Sequence, residues 1–157
     1  MKIVKASQQH LSEMARLFDL YRQFYECPSD LDLATQFISD RMTNNESVIF
    51  MALDPDEQGA NEAEGQGKGF VQLYPSFCSV DAVKIYILYD LYVDADGRKS
   101  GIGRRLMEQA TLFAKESGAA RLDLLTAHSN VGGQALYEKL GYKKVNEDFY
   151  AYSLQVK

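Results

Sequence analysis

The segment Arg98-Lys99-Ser100-Gly101-Ile102-Gly103 is the part of this chain whose residue types and spacing are best suited to chemistry. Two glycines and a serine at a helix start let the backbone fold closely round a ligand, and the first N–H groups of a helix have no intrahelical acceptor. Those donors and the positive end of the helix dipole make an anion site, which Arg98, Lys99, Arg104 and Arg105 strengthen. A phosphate or pyrophosphate is the ligand that suits it. The flanking elements position the loop. Tyr86 to Val93 is an aromatic and β-branched run that predicts a strand, closed by Asp94, Asp96 and Gly97. Ile102, Leu106, Ala110, Phe113 and Ala114 then recur at the spacing of one helix face.

Spacing separates the phosphate-binding loops that could look like this. A P-loop needs G-x-x-x-x-G-K-[ST], and the chain has no Gly-Lys-Ser or Gly-Lys-Thr. A dinucleotide fingerprint G-x-G-x-x-G starting at Gly101 would have Leu106 in place of its third glycine. The remaining pattern is R-x-x-G-x-G, met by Arg98, Gly101 and Gly103, and it resembles the loop of the GNAT superfamily of N-acetyltransferases. Downstream, Ser129 to Val145 is similar to a second block of that family, an Asn before a helix carrying A-x-Y-x-x-x-G-[FY]. The matching positions are Asn130, Ala135, Tyr137, Gly141 and Tyr142, so the resemblance runs closely from Ile87 to Tyr142.

The resemblance implies an α/β (α+β) GNAT fold, a mixed, mostly antiparallel twisted sheet with a splayed parallel strand pair and flanking helices. It implies a reaction as well: transfer of acetyl from acetyl-CoA to a primary amine by direct attack. In that family the pantetheine arm adds to the free edge of the fourth strand, here the backbone of Leu91, Tyr92 and Val93, and the pyrophosphate sits on Arg98, Lys99, Ser100, Gly101, Ile102, Gly103 and Arg104. Tyr137 matches the tyrosine that protonates the leaving thiolate, and Asn130 would contact the cofactor arm or cap its helix.

An amine must be neutral to attack, and a lysine-like amine at pH 7 is about 3.4 units from that state, roughly 4.6 kcal/mol, so a base is needed. Family members with polyamine-type acceptors carry a Glu before the centre of the fourth strand. Here Tyr89 stands at that place, so the carry-over of a Glu fails and Asp90 is the nearest carboxylate. Its competing role is structural, bonded to backbone. Tyr21, Arg22 and Tyr25 on the first helix, with Tyr89, are candidates for the acceptor pocket. The implied partners are a small-molecule or peptide amine and, as often in the family, a second copy of the chain forming a homodimer. A non-catalytic acyl-CoA sensor that keeps the loop, and a nucleotide-binding interaction domain that needs only the loop, are the alternatives.

Composition bounds these readings. A chain of 157 residues with 46% hydrophobic content predicts one domain, 1–157, around one core. The net charge of −5 argues against a nucleic-acid partner. No apolar run reaches the ~20 residues of a membrane span and the start lacks a signal-peptide core, so a cytoplasmic protein is expected. Cys27 and Cys78 lack metal or disulfide spacing and read as packing residues, and no metal site is expected. His10 and His128 read as surface or cap residues.

In chain order, Lys2 to Lys5 predicts a first strand, and Ser7 is placed to cap a helix with Leu11, Met14, Ala15, Leu17, Phe18 and Tyr21 inward, continuing towards Phe24 and Tyr25 until Pro28. Ser29 with Asp32 resembles a capping box for a second helix with Leu33, Phe37 and Ile38 inward, ending at Asn44-Asn45. Ser47 to Leu53 predicts a strand, Asp54 to Gly69 an acidic, glycine-rich solvated loop, and Phe70 to Tyr74 a strand interrupted by Pro75. Val83 to Val93 is the long fourth strand, Arg121 to Thr126 a parallel fifth, and Glu147 to Gln155 a closing strand.

Overall fold

The computed structural model describes residues 1–54, 65–145 and 148–157. They divide into two compact units, 1–125 and 126–157. The first holds a five-stranded sheet in the order β1-β2-β3-β4-β5. Its strands are β1 (Lys2–Lys5), β2 (Val48–Asp54), β3 (Gln66–Cys78), β4 (Val83–Val93) and β5 (Leu122–Asp123), and its helices are α1 (Leu11–Phe24), α2 (Leu31–Thr43) and α3 (Ile102–Glu116). The pairs β1–β2, β2–β3 and β3–β4 are antiparallel, and β4–β5 is parallel. The mixed, mostly antiparallel sheet expected from the sequence is therefore present.

Alternation along β2 gives each face of the sheet its own helical layer. Ile49, Met51 and Leu53 join Met14, Leu17, Phe18, Ala34, Ile38, Phe70 and Tyr92 in a buried cluster under α1 and α2. Phe50 points the other way, where its ring and that of Tyr86 meet Phe113 of α3 at 5.6 and 5.3 Å. The inward face of α3 is as expected: Ile102, Leu106, Ala110 and Ala114 are buried, with Met107 beside them.

Several expectations are corrected. Ser7 precedes a short 3-10 turn, Gln8–His10, rather than α1 itself, and its N–H donates to His10 Nδ1 at 3.1 Å. Of its two readings, surface or cap, His10 takes the cap, where it is buried. The first helix ends at Phe24, well before Pro28, because Glu26 turns left-handed at φ 65°. Phe24 and Tyr25 are exposed. The cap of α2 is Asp30, whose carboxylate accepts from Leu33 N at 3.1 Å. Ser29 instead donates to Asp19 at 2.7 Å, with Gln23 Nε2 and Asp30 N also bonding that carboxylate, which ties the start of α2 to α1. Leu33 is half-exposed and Ala34 takes the inward position.

The third strand runs through Pro75, which pairs in register with Tyr86. Beyond Leu73 β3 has no β2 partner, so this stretch is an edge, where a residue without an N–H is tolerated. At its other end β3 starts at Gln66 inside the expected loop, held by Glu13 and Arg16 of α1, which bond Gly67 N and Gly67 O at 2.8 and 2.9 Å. The rest of that acidic loop, residues 55–64, lies outside the described residues. The fifth strand is only Leu122–Asp123, shorter than expected, pairing with Tyr86 and Ile87.

The second unit contains α4 (Val131–Lys139), closed by Gly141 at φ 94°. Residues 148–157 form no strand; an alternating pattern becomes a strand only where it finds a ladder partner. Glu147, the first residue of that expected strand, lies outside the described residues.

Candidate functional site

The site of the first unit is built where β4 loses its parallel neighbour. Register with β5 covers only Tyr86 and Ile87, and Leu88 to Val93 continues without a partner on that side among the described residues. The edge of Leu91, Tyr92 and Val93 is thus open to an added strand. A cleft of about 160 Å³ opens at the parting, lined by Ile87, Leu88, Tyr89 and Leu125.

At the foot of β4 the chain makes the loop in which the sequence predicts an anion site. A 3-10 turn, Ala95–Gly97, is capped by Asp94, whose carboxylate accepts from Ala95 N at 2.8 Å. Lys99 is left-handed at φ 63° and Gly101 at φ 82°, a conformation that favours glycine. Gly101 is the N-cap of α3 and no side chain caps the helix, so its first N–H groups are without a side-chain acceptor. A Cβ on Gly101 would meet no atom within 4 Å beyond its chain neighbours, so the space on that side of Gly101 is open. The Ser100 hydroxyl donates to Gly97 O and holds the loop closed.

The cations differ in availability. Arg98 Nε donates to Val93 O at 3.1 Å, and its guanidinium lies 5.8 Å from the Phe24 ring. Arg104 pairs with Glu108 at 2.8 Å on the exposed face of α3. Lys99 is exposed beside the loop. Open space, unsealed donors and flanking cations fit a pyrophosphate, and the free β4 edge fits an extended arm.

The candidate acceptor side lies on the α1 face of β4, and a bulge organises it. Gln72 pairs with Asp90 and Leu73 with Leu88, leaving Tyr89 as the extra residue. Asp90 is thereby set inward while Tyr89 stays 65% exposed. Among the described residues Asp90 has no backbone partner of the kind its structural reading expected. Its Oδ2 accepts from Gln72 Nε2 at 2.6 Å, and the Tyr21 hydroxyl also hydrogen-bonds the carboxylate. Burial raises the Asp90 pKa above the ordinary carboxylate value, against the lowering effect of those two hydrogen bonds. The same burial, with Asp90 close by, pushes the Tyr21 phenol far above its usual value and Tyr74 up to about 12.

Of the acceptor candidates, Tyr25 and Tyr89 lie near Tyr21, which bonds Asp90, with Tyr21 and Tyr25 ring centres 5.1 Å apart. Arg22 does not join them; its charge acts on Asp19. Sequence reasoning missed Gln72 and Tyr74. Gln72 is fully buried in the apolar run Phe70 to Tyr74, and a polar residue at an inward position was the available signal. Tyr74 lies 5.4 Å from Tyr89, which it meets only through the bulge.

In the second unit Asn130 is a cap. Its Oδ1 accepts from Gly133 N at 3.1 Å and its Nδ2 donates to Thr126 Oγ1 at 3.0 Å. Tyr137 is half-buried on α4, its ring 6.1 Å from that of Tyr142. No group of metal-binding side chains and no helix long and apolar enough to cross a membrane occurs among the described residues.

Residues 45–144 match the family model of the acetyltransferase (GNAT) domain. The chain is 40% identical over 156 residues to the uncharacterized N-acetyltransferase YhfO of Bacillus subtilis (strain 168), covering 99% of this chain and 98% of that protein. It is 30% identical over 122 residues to a "probable acetyltransferase" of Haemophilus influenzae, covering 78% of each. Among solved structures, one described as a "probable acetyltransferase" superposes with a TM-score of 0.87 at 36% identity, covering 100% of this chain and 99% of that one.

Proposed function

Because the chain belongs to the GNAT superfamily and is an N-acetyltransferase, we propose that it moves acetyl from acetyl-CoA to a primary amine of a small molecule, protein terminus or lysine by direct attack. The observation that carries this is the uncapped start of α3 placed directly after the unpaired edge of β4. One supplies backbone donors for a pyrophosphate, the other a ladder for the arm that follows it. When bound, acetyl-CoA supplies the activated acetyl thioester. The family match crosses residue 125, which supports reading the two units as parts of one domain, 1–157.

The roles we assign follow from the groups present. Asp90 takes the proton that the acceptor nitrogen gives up, and its raised pKa makes it a stronger base than an exposed carboxylate. The nitrogen lone pair forms the C–N bond, the C–S bond breaks, and the leaving thiolate takes the Tyr137 hydroxyl proton. Solvent then returns a proton to Tyr137 and removes one from Asp90. For Tyr137 the support is its register with Asn130 and Gly141 in the family motif. Arg98, Lys99 and the backbone of Ser100 to Arg104 hold the phosphates, with Leu91, Tyr92 and Val93 pairing the arm.

The test is a thiol-release assay with acetyl-CoA against polyamines, amino acids, aminoglycosides and lysine peptides. Amine-dependent release supports the transferase reading of this site. Tight binding of acetyl-CoA by calorimetry with no release for any amine would replace it with the acyl-CoA sensor.

A further inference from the structure

The acceptor side of β4 is graded from a wet aromatic rim to a dry acidic floor. Phe24, Tyr25 and Tyr89 are 61%, 61% and 65% exposed. Large exposed rings grouped at one place mark a surface that meets a ligand. Below them Tyr21 and Tyr74 are half-buried, and beneath these lie Asp90 and the fully buried Gln72. The rings are in edge contact in two sets, Phe24–Tyr25–Tyr21 and Tyr74–Tyr89, and both Tyr21 and Tyr74 feel the charge of Asp90.

Two other carboxylates of this region are compensated, and Asp90 is not. Glu46 pairs with Arg41 at 3.4 Å, and Asp19 is held by Ser29, Gln23 and the Asp30 N–H with Arg22 nearby. Asp90 has no ion-pair partner among the described residues; its contacts are the neutral donors Gln72 and Tyr21. A buried carboxylate without a counter-charge is costly and is relieved by one cation. The phenols are held protonated, so their ring faces add cation–π attraction and carry no competing negative charge.

Resting on the acetyltransfer reading above, we infer that this site selects a compact primary amine carrying a single positive charge beside a flat apolar or aromatic body. The ammonium meets Asp90 and the body stacks among Tyr25, Tyr89 and Phe24. A polyamine or aminoglycoside brings further ammonium groups, and the second carboxylate near Tyr74, Glu46, is already neutralised by Arg41.

The chain has no tryptophan and ten tyrosines, so tyrosine emission reads amine binding directly. Binding and thiol release are measured in parallel for 2-phenylethylamine, butylamine, spermidine and kanamycin. The expected result is 2-phenylethylamine binding at least about tenfold tighter than the other three, with kcat/KM in the same order. Asp90→Asn should abolish the binding. Tyr89→Ala, at an exposed position where folding is not at stake, should weaken 2-phenylethylamine about tenfold and leave butylamine nearly unchanged. Equal or tighter binding of spermidine or kanamycin overturns the inference even if both are acetylated, as does an unchanged preference in Tyr89→Ala. The stated binding preference without thiol release upholds the inference and removes the transfer reading instead.

Discussion

Helices α3 and α4 start in opposite ways. At α4 the Asn130 side chain accepts from Gly133 N at 3.1 Å, and α2 begins likewise with Asp30 accepting from Leu33 N. At α3 the cap is Gly101, which offers no side-chain acceptor. A capped start satisfies its own donors and has none to give. An uncapped one keeps its N–H groups and its positive dipole end for an outside anion, at some cost in helix stability. Of these three starts, only that of α3 leaves its donors without a side-chain acceptor.

The comparison breaks most sharply at Gly103. Its φ is not in the left-handed region, so Gly103→Val adds bulk beside the donors without backbone strain, whereas substitution at Gly101 would combine both effects. Acetyl-CoA affinity by calorimetry should fall roughly a hundredfold or more, with the thermal midpoint nearly unchanged; preserved affinity would mean the pyrophosphate sits elsewhere. Tyr137→Phe tests the other helix as a source of chemistry rather than of anion binding. General-acid help is typically worth ~10²–10⁴-fold, and a thiolate is already a fair leaving group, so kcat should drop about 10²-fold while acetyl-CoA affinity holds. Full turnover with chemistry rate-limiting would assign the proton to another donor.

Arg98→Ala removes one charge-assisted contact but none of the backbone donors. A loss of about 1–3 kcal/mol in acetyl-CoA binding is expected, and an unchanged salt dependence of affinity would count against a phosphate contact. Asn130→Ala is the smallest effect. It should cost ~1 kcal/mol in unfolding free energy, as loss of a cap does, with acetyl-CoA affinity within about twofold. A large affinity loss would instead make Asn130 a contact of the cofactor arm.

Elements carried by short-range pattern are legible in the order of residues alone. The anion loop depends on residues adjacent in the chain, and β2, β4 and the buried face of α3 depend on periodicity, so local physics suffices for them. The start of α2 is nearly so: Ser29 and Asp30 are both able caps, and only the pull of Asp19 on Ser29 decides between them. Pro75 reads as a break because proline interrupts a central ladder, and it is not one here because β2 stops pairing at Leu73.

By itself, then, the sequence determined the family, the strand-loop-helix course around Arg98 to Gly103 and the order of most elements, because motif spacing and hydrophobic periodicity are properties of neighbouring residues. Only the tertiary structure decided what Asp90 is. Alternation counted along β4 could not say which way its carboxylate turns, since the bulge that leaves Tyr89 unpaired exists only in the register with β3. That register brings Gln72 to 2.6 Å from the carboxylate and Tyr74 beside Tyr89, and the packing of α1, far away in the chain, lays Tyr21 onto that carboxylate. Burial then raises the Asp90 pKa, and desolvation is a property of the folded surroundings, which no run of residues along the chain contains.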